Sequence, residues 1–274
     1  MSAPAAARPY RARVRDAVVA FAGRDLRVAV SYKLPFLLEI AGALFGLLTT
    51  WFVSKIVDPA QVPGGYFAFV VLGLMVAAFV DAGISFIASG LRQEQMPGTL
   101  EATIASGVPT GAFAVGLAAY PLAAGAVEAV VYGALALAIG ARFPGAGWSL
   151  ALAAMVAGAV AFVGIGLMGA ALVLVIQRAA GAVGWVVAML GLAAGEFFPP
   201  RLLPGWLQSL SAFSPFTWCL RIVRGAVLGG EGWGAGWRPL GVLVAMALGY
   251  AMLGVAALTL GLRAARRRGT LSGY

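Results

Sequence analysis

The stretch SLALAAMVAGAVAFVGIGLMGAALVLVI, residues 149–176, contains no charged residue and no proline, and its one hydroxyl is Ser149. As an α-helix it would run about 40 Å, more than the roughly 30 Å hydrocarbon core of a bilayer. An uncharged run of that length reads as a membrane span. Five further apolar runs flank it, at 34–53, 66–91, 110–139, 181–198 and 239–262. The run at 110–139 is long enough to tilt or to kink at Pro121. These runs predict an all-α polytopic membrane protein of six transmembrane helices, with residues 34–262 as one transmembrane domain.

The composition agrees with that class. The chain of 274 residues is 62% hydrophobic and only 11% charged, against about 45–50% and 25% in ordinary soluble domains. A soluble enzyme and a disordered chain are both excluded on these figures. Glycine supplies 38 residues, and inside apolar runs it marks closely packed membrane helices. There is no histidine, which removes histidine-ligated haem or zinc, Ser-His-Asp triads and histidine proton relays. Cys219 is the single cysteine, so neither an intramolecular disulfide nor a multi-cysteine metal site can form. The sequence therefore assigns no catalytic, cofactor-binding or metal-ligating residue.

Residues 1–33 carry seven basic side chains against Asp16 and Asp25. The apolar stretch after the first arginines is broken at Arg24, Asp25 and Arg27 before a signal-peptide core can form. Val14, Val18, Phe21 and Val28 can share a helix face opposite Arg13, Asp16, Arg24 and Arg27. This predicts an amphipathic helix in the cytoplasmic headgroup layer, with a disordered basic tail as the alternative for residues 1–12. With that end inside, 13 of the 19 basic residues fall on the cytoplasmic side and six on the other. The bias places both termini, including the basic tail 263–274, in the cytoplasm. It accounts for the basic excess without nucleic-acid binding.

Residues 197–228 are apolar enough for lipid, yet contain Pro199, Pro200, Pro204 and Pro215 as well as Arg201, Arg221 and Arg224. Four prolines forbid one continuous helix, and broken backbone at membrane depth must be enclosed by protein or line a wet cavity. Two short helices, 204–212 and 215–228, forming a re-entrant hairpin over 199–228 are predicted, the alternative being an interfacial loop. On the cytoplasmic side, the loop 92–109 contains a helix-shaped piece. Thr99 can cap it, Leu100 and Ile104 share a face, and Pro109 stops it. Such a helix can dock a partner, or rest on its own bundle.

Two motifs in these loops resemble one family. The run Glu94-Gln95-Met96-Pro97-Gly98-Thr99-Leu100-Glu101 resembles the E-x-x-x-G-T-L-E signature that follows the second span of ABC-2 type transporter permeases. The runs Phe197-Phe198-Pro199-Pro200, Leu203-Pro204-Gly205-Trp206-Leu207-Gln208 and Ser214-Pro215-Phe216-Thr217, with Arg224, resemble its second signature, between spans five and six. The resemblance covers residues 25–262. One departure is Gly107, where a proline often follows the serine; here the proline is Pro109.

The resemblance implies the membrane half of an ATP-driven exporter in the cell membrane, working with a separate ATPase subunit and a second permease copy. Glu94, Gly98, Thr99, Leu100, Glu101 and Ile104 would form the coupling helix on the ATPase. Pro199, Pro204, Trp206, Pro215 and Arg224 would build the hairpin beside the exit. No P-loop occurs in the chain itself, whose only lysines are Lys33 and Lys55. The related permeases carry drugs, lipids or lipid-linked glycans, so an amphiphilic substrate is expected.

Among the carboxylates inside spans, three are singled out. Glu39, near the start of its helix, fits structural pairing, while Asp81 and Glu128 fit either a polar pathway or structural pairing. They also sustain the alternative function, an ion- or proton-coupled secondary transporter using Asp81 and Glu128. A membrane enzyme finds no convergent set of residues to support it.

Overall fold

A computed structural model describes residues 33–57, 62, 64–95, 110–176 and 180–268. The expected amphipathic helix before residue 33, the loop 96–109 and the tail after residue 268 lie outside the described residues. Among the described residues the elements are helices. In chain order they are α1 (Lys33–Val53), α2 (Tyr66–Asp81), a π-helical turn (Ala82–Phe86), α3 (Ile87–Gln95), α4 (Thr110–Ile139), α5 (Trp148–Val175) and α6 (Ala180–Ala194). After a 3-10 turn (Pro200–Leu202) come α7 (Gly205–Ser211), α8 (Pro215–Val227) and α9 (Trp233–Arg268).

Four helical stretches are long and apolar enough to cross a bilayer: Tyr66–Arg92, Thr110–Ile139, Trp148–Leu174 and Trp233–Ala265. Two further apolar stretches, Ile40–Ser54 and Val183–Ala194, are shorter. Helix α5, the run on which the sequence reading began, sits at the centre. It packs along α9 and touches α8, α2, the π turn and α3. Its glycines permit the close approach. A methyl group at Gly164 would meet the Tyr250 backbone of α9, and one at Gly166 would meet the Gly83 carbonyl in the π turn. Leu72, Val76, Phe162, Phe216, Leu220 and Leu243 are among the side chains of the main core.

The second and sixth runs continue as helix to Gln95 and Arg268, past the expected 91 and 262, and two further limits differ for reasons visible in the packing. The fifth run was expected to continue to residue 198, but α6 stops at Ala194. Gly195 there has φ +74°, its N–H donates to the Leu192 carbonyl, and the Glu196 N–H donates to the Gly191 carbonyl. These are the two bonds of a Schellman motif, with the glycine in its left-handed position. The sixth run was expected to begin at Pro239, but α9 begins at Trp233 and runs through that proline. Its glycine-rich first turns are held from outside: Trp233 Nε1 donates to Ser149 Oγ at 3.0 Å, and Gly236 lies against Leu150.

The proline-broken segment forms two helices at unequal depth in the fold. Helix α7 is largely exposed, with Trp206 and Leu210, and Phe213 in the turn after it, open to the surroundings. Helix α8 is amphipathic and buries Phe216, Cys219, Leu220, Val223 and Val227. Phe216 meets Phe162 edge to face at 6.0 Å between ring centroids, and Phe162 is the midpoint of α5. The Tyr250 hydroxyl, at the midpoint of α9, donates to the Phe213 carbonyl at 3.0 Å. The turn between α7 and α8 thus lies level with the middle of the long helices. The other end of α8 returns to the end of the bundle that carries Tyr66 and Trp148, where the Gly145 N–H donates to the Val227 carbonyl at 2.7 Å.

Candidate functional site

Among the described residues, two polar regions stand out in the apolar bundle. The first runs along α2 into α3. Asp81, the last residue of α2, is exposed although it lies midway along a membrane-length helix. Ser85 Oγ donates to its Oδ1 at 3.1 Å. Ser89 follows one turn later, its hydroxyl donating to the Phe86 carbonyl at 3.2 Å. A groove opens beside these hydroxyls, lined by Ser85, Phe86, Ala88, Ser89, Val183 and Gly184, between the π turn with α3 on one side and α6 on the other. A carboxylate and two hydroxyls at this depth are costly against lipid and well suited to a polar passage. Widened π turns are frequent at functional sites, because they disturb the regular carbonyl ladder.

The second region is built around Arg224, on α8. Its Nε and Nη2 donate to the Phe69 carbonyl on α2, at 3.2 and 3.1 Å. Its Nη1 donates to the Gly195 carbonyl and its Nη2 to the Glu196 carbonyl, both at 2.8 Å. The guanidinium carbon lies 3.4 Å from the centre of the Phe69 ring, a cation–π arrangement. Arginine suits this place because its planar fork can satisfy several acceptors at once, where lysine is a single point. It also brings positive charge to the carbonyl end of α6, the favourable pole of the helix dipole. Space for this comes from Gly73: a Cβ there would lie 2.5 Å from the Glu196 carbonyl oxygen and 3.0 Å from Arg224 Nη2. The Glu196 side chain folds back over Gly191 towards Phe216, and its carboxylate feels the charges of both Asp81 and Arg224.

The sequence-predicted residues fall as follows. Pro199 precedes the 3-10 turn, Pro204 starts α7, Trp206 is exposed on α7, and Pro215 is the buried first residue of α8. Arg224 joins the far end of that helix to α2 and α6. Asp81 lies beside the groove. Glu128 is half-buried on α4 and engaged with neighbouring groups. Glu94 lies in the last turn of α3, while Gly98, Thr99, Leu100, Glu101 and Ile104 lie outside the described residues. Sequence reasoning missed Glu196, Ser85 and Ser89. The signal for Glu196 was present, a lone carboxylate directly after a glycine at the end of an apolar run. The π turn leaves no such mark.

The family model of the ABC-2 type transporter matches residues 24–228, a span that includes both loops and the first five apolar runs. No curated protein matches the chain. The matched region takes in the exposed Asp81 face, the Arg224 junction and both halves of the broken segment. With most of the chain covered, this protein belongs to the ABC-2 type transporter family, as a membrane-embedded transport permease.

Proposed function

We propose that this chain is the permease subunit of an ATP-driven exporter in the cell membrane, moving an amphiphilic substrate out of the cytoplasm or its inner leaflet. The observation that carries this reading is the family match over residues 24–228, since ABC-2 permeases generally work with an ABC ATPase subunit. In this reading the two shorter apolar helices, α1 and α6, also cross the bilayer, giving six spans with both termini cytoplasmic. The segment 199–228 re-enters the membrane from the outer side. The level of its turn, opposite Phe162 and Tyr250, supports that part.

Helix α3 leads directly into residues 96–109, so Gly98, Thr99, Leu100, Glu101 and Ile104 would form the helix that receives force from the ATPase. Two permease copies and two ATPases would complete the machine. A second copy facing the groove beside α6 would enclose Asp81, Ser85 and Ser89 as part of the substrate passage. Pro199, Pro204, Trp206, Pro215 and Arg224 would shape its outer gate.

Purification of the permease with its ATPase, followed by assay of ATP hydrolysis in nanodiscs, tests the proposal. Leu100→Asp and Glu101→Arg should abolish assembly or uncouple hydrolysis from transport. Unchanged assembly, hydrolysis and export in both variants would remove the coupling role. The exposed carboxylate of Asp81 at membrane depth favours one competing reading, a proton- or ion-coupled carrier. That reading expects transport without any ATPase and its collapse with the ion gradient.

A further inference from the structure

We propose that Arg224 is the joint through which α2 moves the outer gate. It is a positioning residue that carries motion from the cytoplasmic end of α2–α3 to the hairpin and to the end of α6. This rests on the permease reading above and adds to it a path within the chain.

The path begins where α3 ends, at Gln95, next to the loop assigned to the ATPase. From there α3, the π turn and α2 form one continuous helical rod back to Tyr66. The distance from Gln95 to Phe69 along it is about 39 Å, so the rod spans the whole membrane. At its far end the Phe69 carbonyl takes two hydrogen bonds from Arg224, and the Phe69 ring lies under the same guanidinium. Arg224 belongs to α8, whose Phe216 end reaches the middle of the bundle. The remaining donors hold the Gly195 and Glu196 carbonyls, which end α6.

Apolar contact cannot supply the same connection. The packing of α6 against α2 and α8 is sparse, whereas α8 is anchored broadly on α5. A sliding apolar contact transmits displacement poorly, but four directed bonds from one rigid planar group fix distance and orientation together. Separation of the three elements would part a half-buried cation from four hydrogen bonds, which favours their movement as a block. Gly73 is what lets the block close, because any side chain there would push against both the Glu196 carbonyl and Arg224 Nη2.

The test uses the full permease–ATPase complex in nanodiscs, with spin labels at Trp206→Cys on α7 and Leu137→Cys on α4 in a Cys219→Ala background. Distances are measured without nucleotide and with trapped ATP. The wild-type joint is expected to give a nucleotide-dependent shift in the distance distribution. Arg224→Lys, which keeps the charge but not the fork, and Gly73→Ala, which obstructs the joint from the α2 side, should each lose that shift. Both should still hydrolyse ATP and elute as an assembled complex.

A merely structural Arg224 would lower assembly, hydrolysis and the shift together. Should Arg224→Lys fail to assemble, Gly73→Ala decides, since it leaves the arginine intact. Retention of the wild-type shift in an assembled variant would overturn the joint while leaving the permease reading in place. A complex that neither hydrolyses ATP nor shifts without any of the joint substitutions would overturn both.

Discussion

Gly195 and Arg224 depend on one another. The glycine turns the chain out of α6 with φ +74°, and the carbonyls so freed become acceptors for the arginine. Gly195→Ala should cost about 1–2 kcal/mol from the left-handed backbone alone. The methyl group would also lie 2.6 Å from the Phe198 carbonyl oxygen and 2.8 Å from the Pro200 ring. A lowered thermal midpoint in detergent is the expected result, checked by scanning fluorimetry against Gly184→Ala, whose added methyl group meets no neighbouring atom. A second residue-scale contrast concerns access. Cys219 is fully buried, its thiol donating to the Ala154 carbonyl at 3.5 Å, while Asp81 is exposed beside the groove. A charged methanethiosulfonate reagent should leave Cys219 unmodified in the folded protein. It should react with the thiol introduced by Asp81→Cys in a Cys219→Ala background, as intact mass will show.

At the scale of elements, the two halves of the proline-broken segment behave differently although they read alike in composition. Phe216 on α8 is 1% exposed against Phe162, whereas Trp206 on α7 is 70% exposed. Phe216→Ala should therefore destabilise the fold by about 3–5 kcal/mol through the cavity it leaves, and Trp206→Ala by less than about 0.5 kcal/mol. Denaturation of the two variants in mixed micelles measures the difference. The prolines announced a broken segment, and its amphipathic second half was visible in the spacing of Phe216, Leu220, Val223 and Val227. Which half turns inward was not, because that depends on α5 offering Phe162 and Gly158 as a seat. The early start of α9 was hidden for a similar reason. Trp233, Gly234, Ala235, Gly236 and Trp237 look like a loop before a proline, until Ser149 and Leu150 hold them from the neighbouring helix. The end of α6 was legible and was passed over, since Gly195 stands where a helix-ending glycine belongs.

For the whole molecule, membrane embedding, helical class and family could be read from apolar run length, composition and two ordered motifs. The internal wiring could not. Arg224 was singled out in the second motif but without partners, and Phe69 stood as one more apolar residue in a span. Their pairing across 155 positions is a product of the fold. The same holds for the exposure of Asp81 midway along its helix.

In the proposed function, ATP hydrolysis in a separate subunit drives this permease through residues 96–109. The most direct measurement is the composition and ATPase activity of the detergent-purified complex, compared with Leu100→Asp and Glu101→Arg. An equimolar permease–ATPase complex that hydrolyses ATP is expected, with loss of assembly or of coupled activity in both variants. A permease that purifies folded and active in transport with no ATPase bound, unaffected by either substitution, would contradict it.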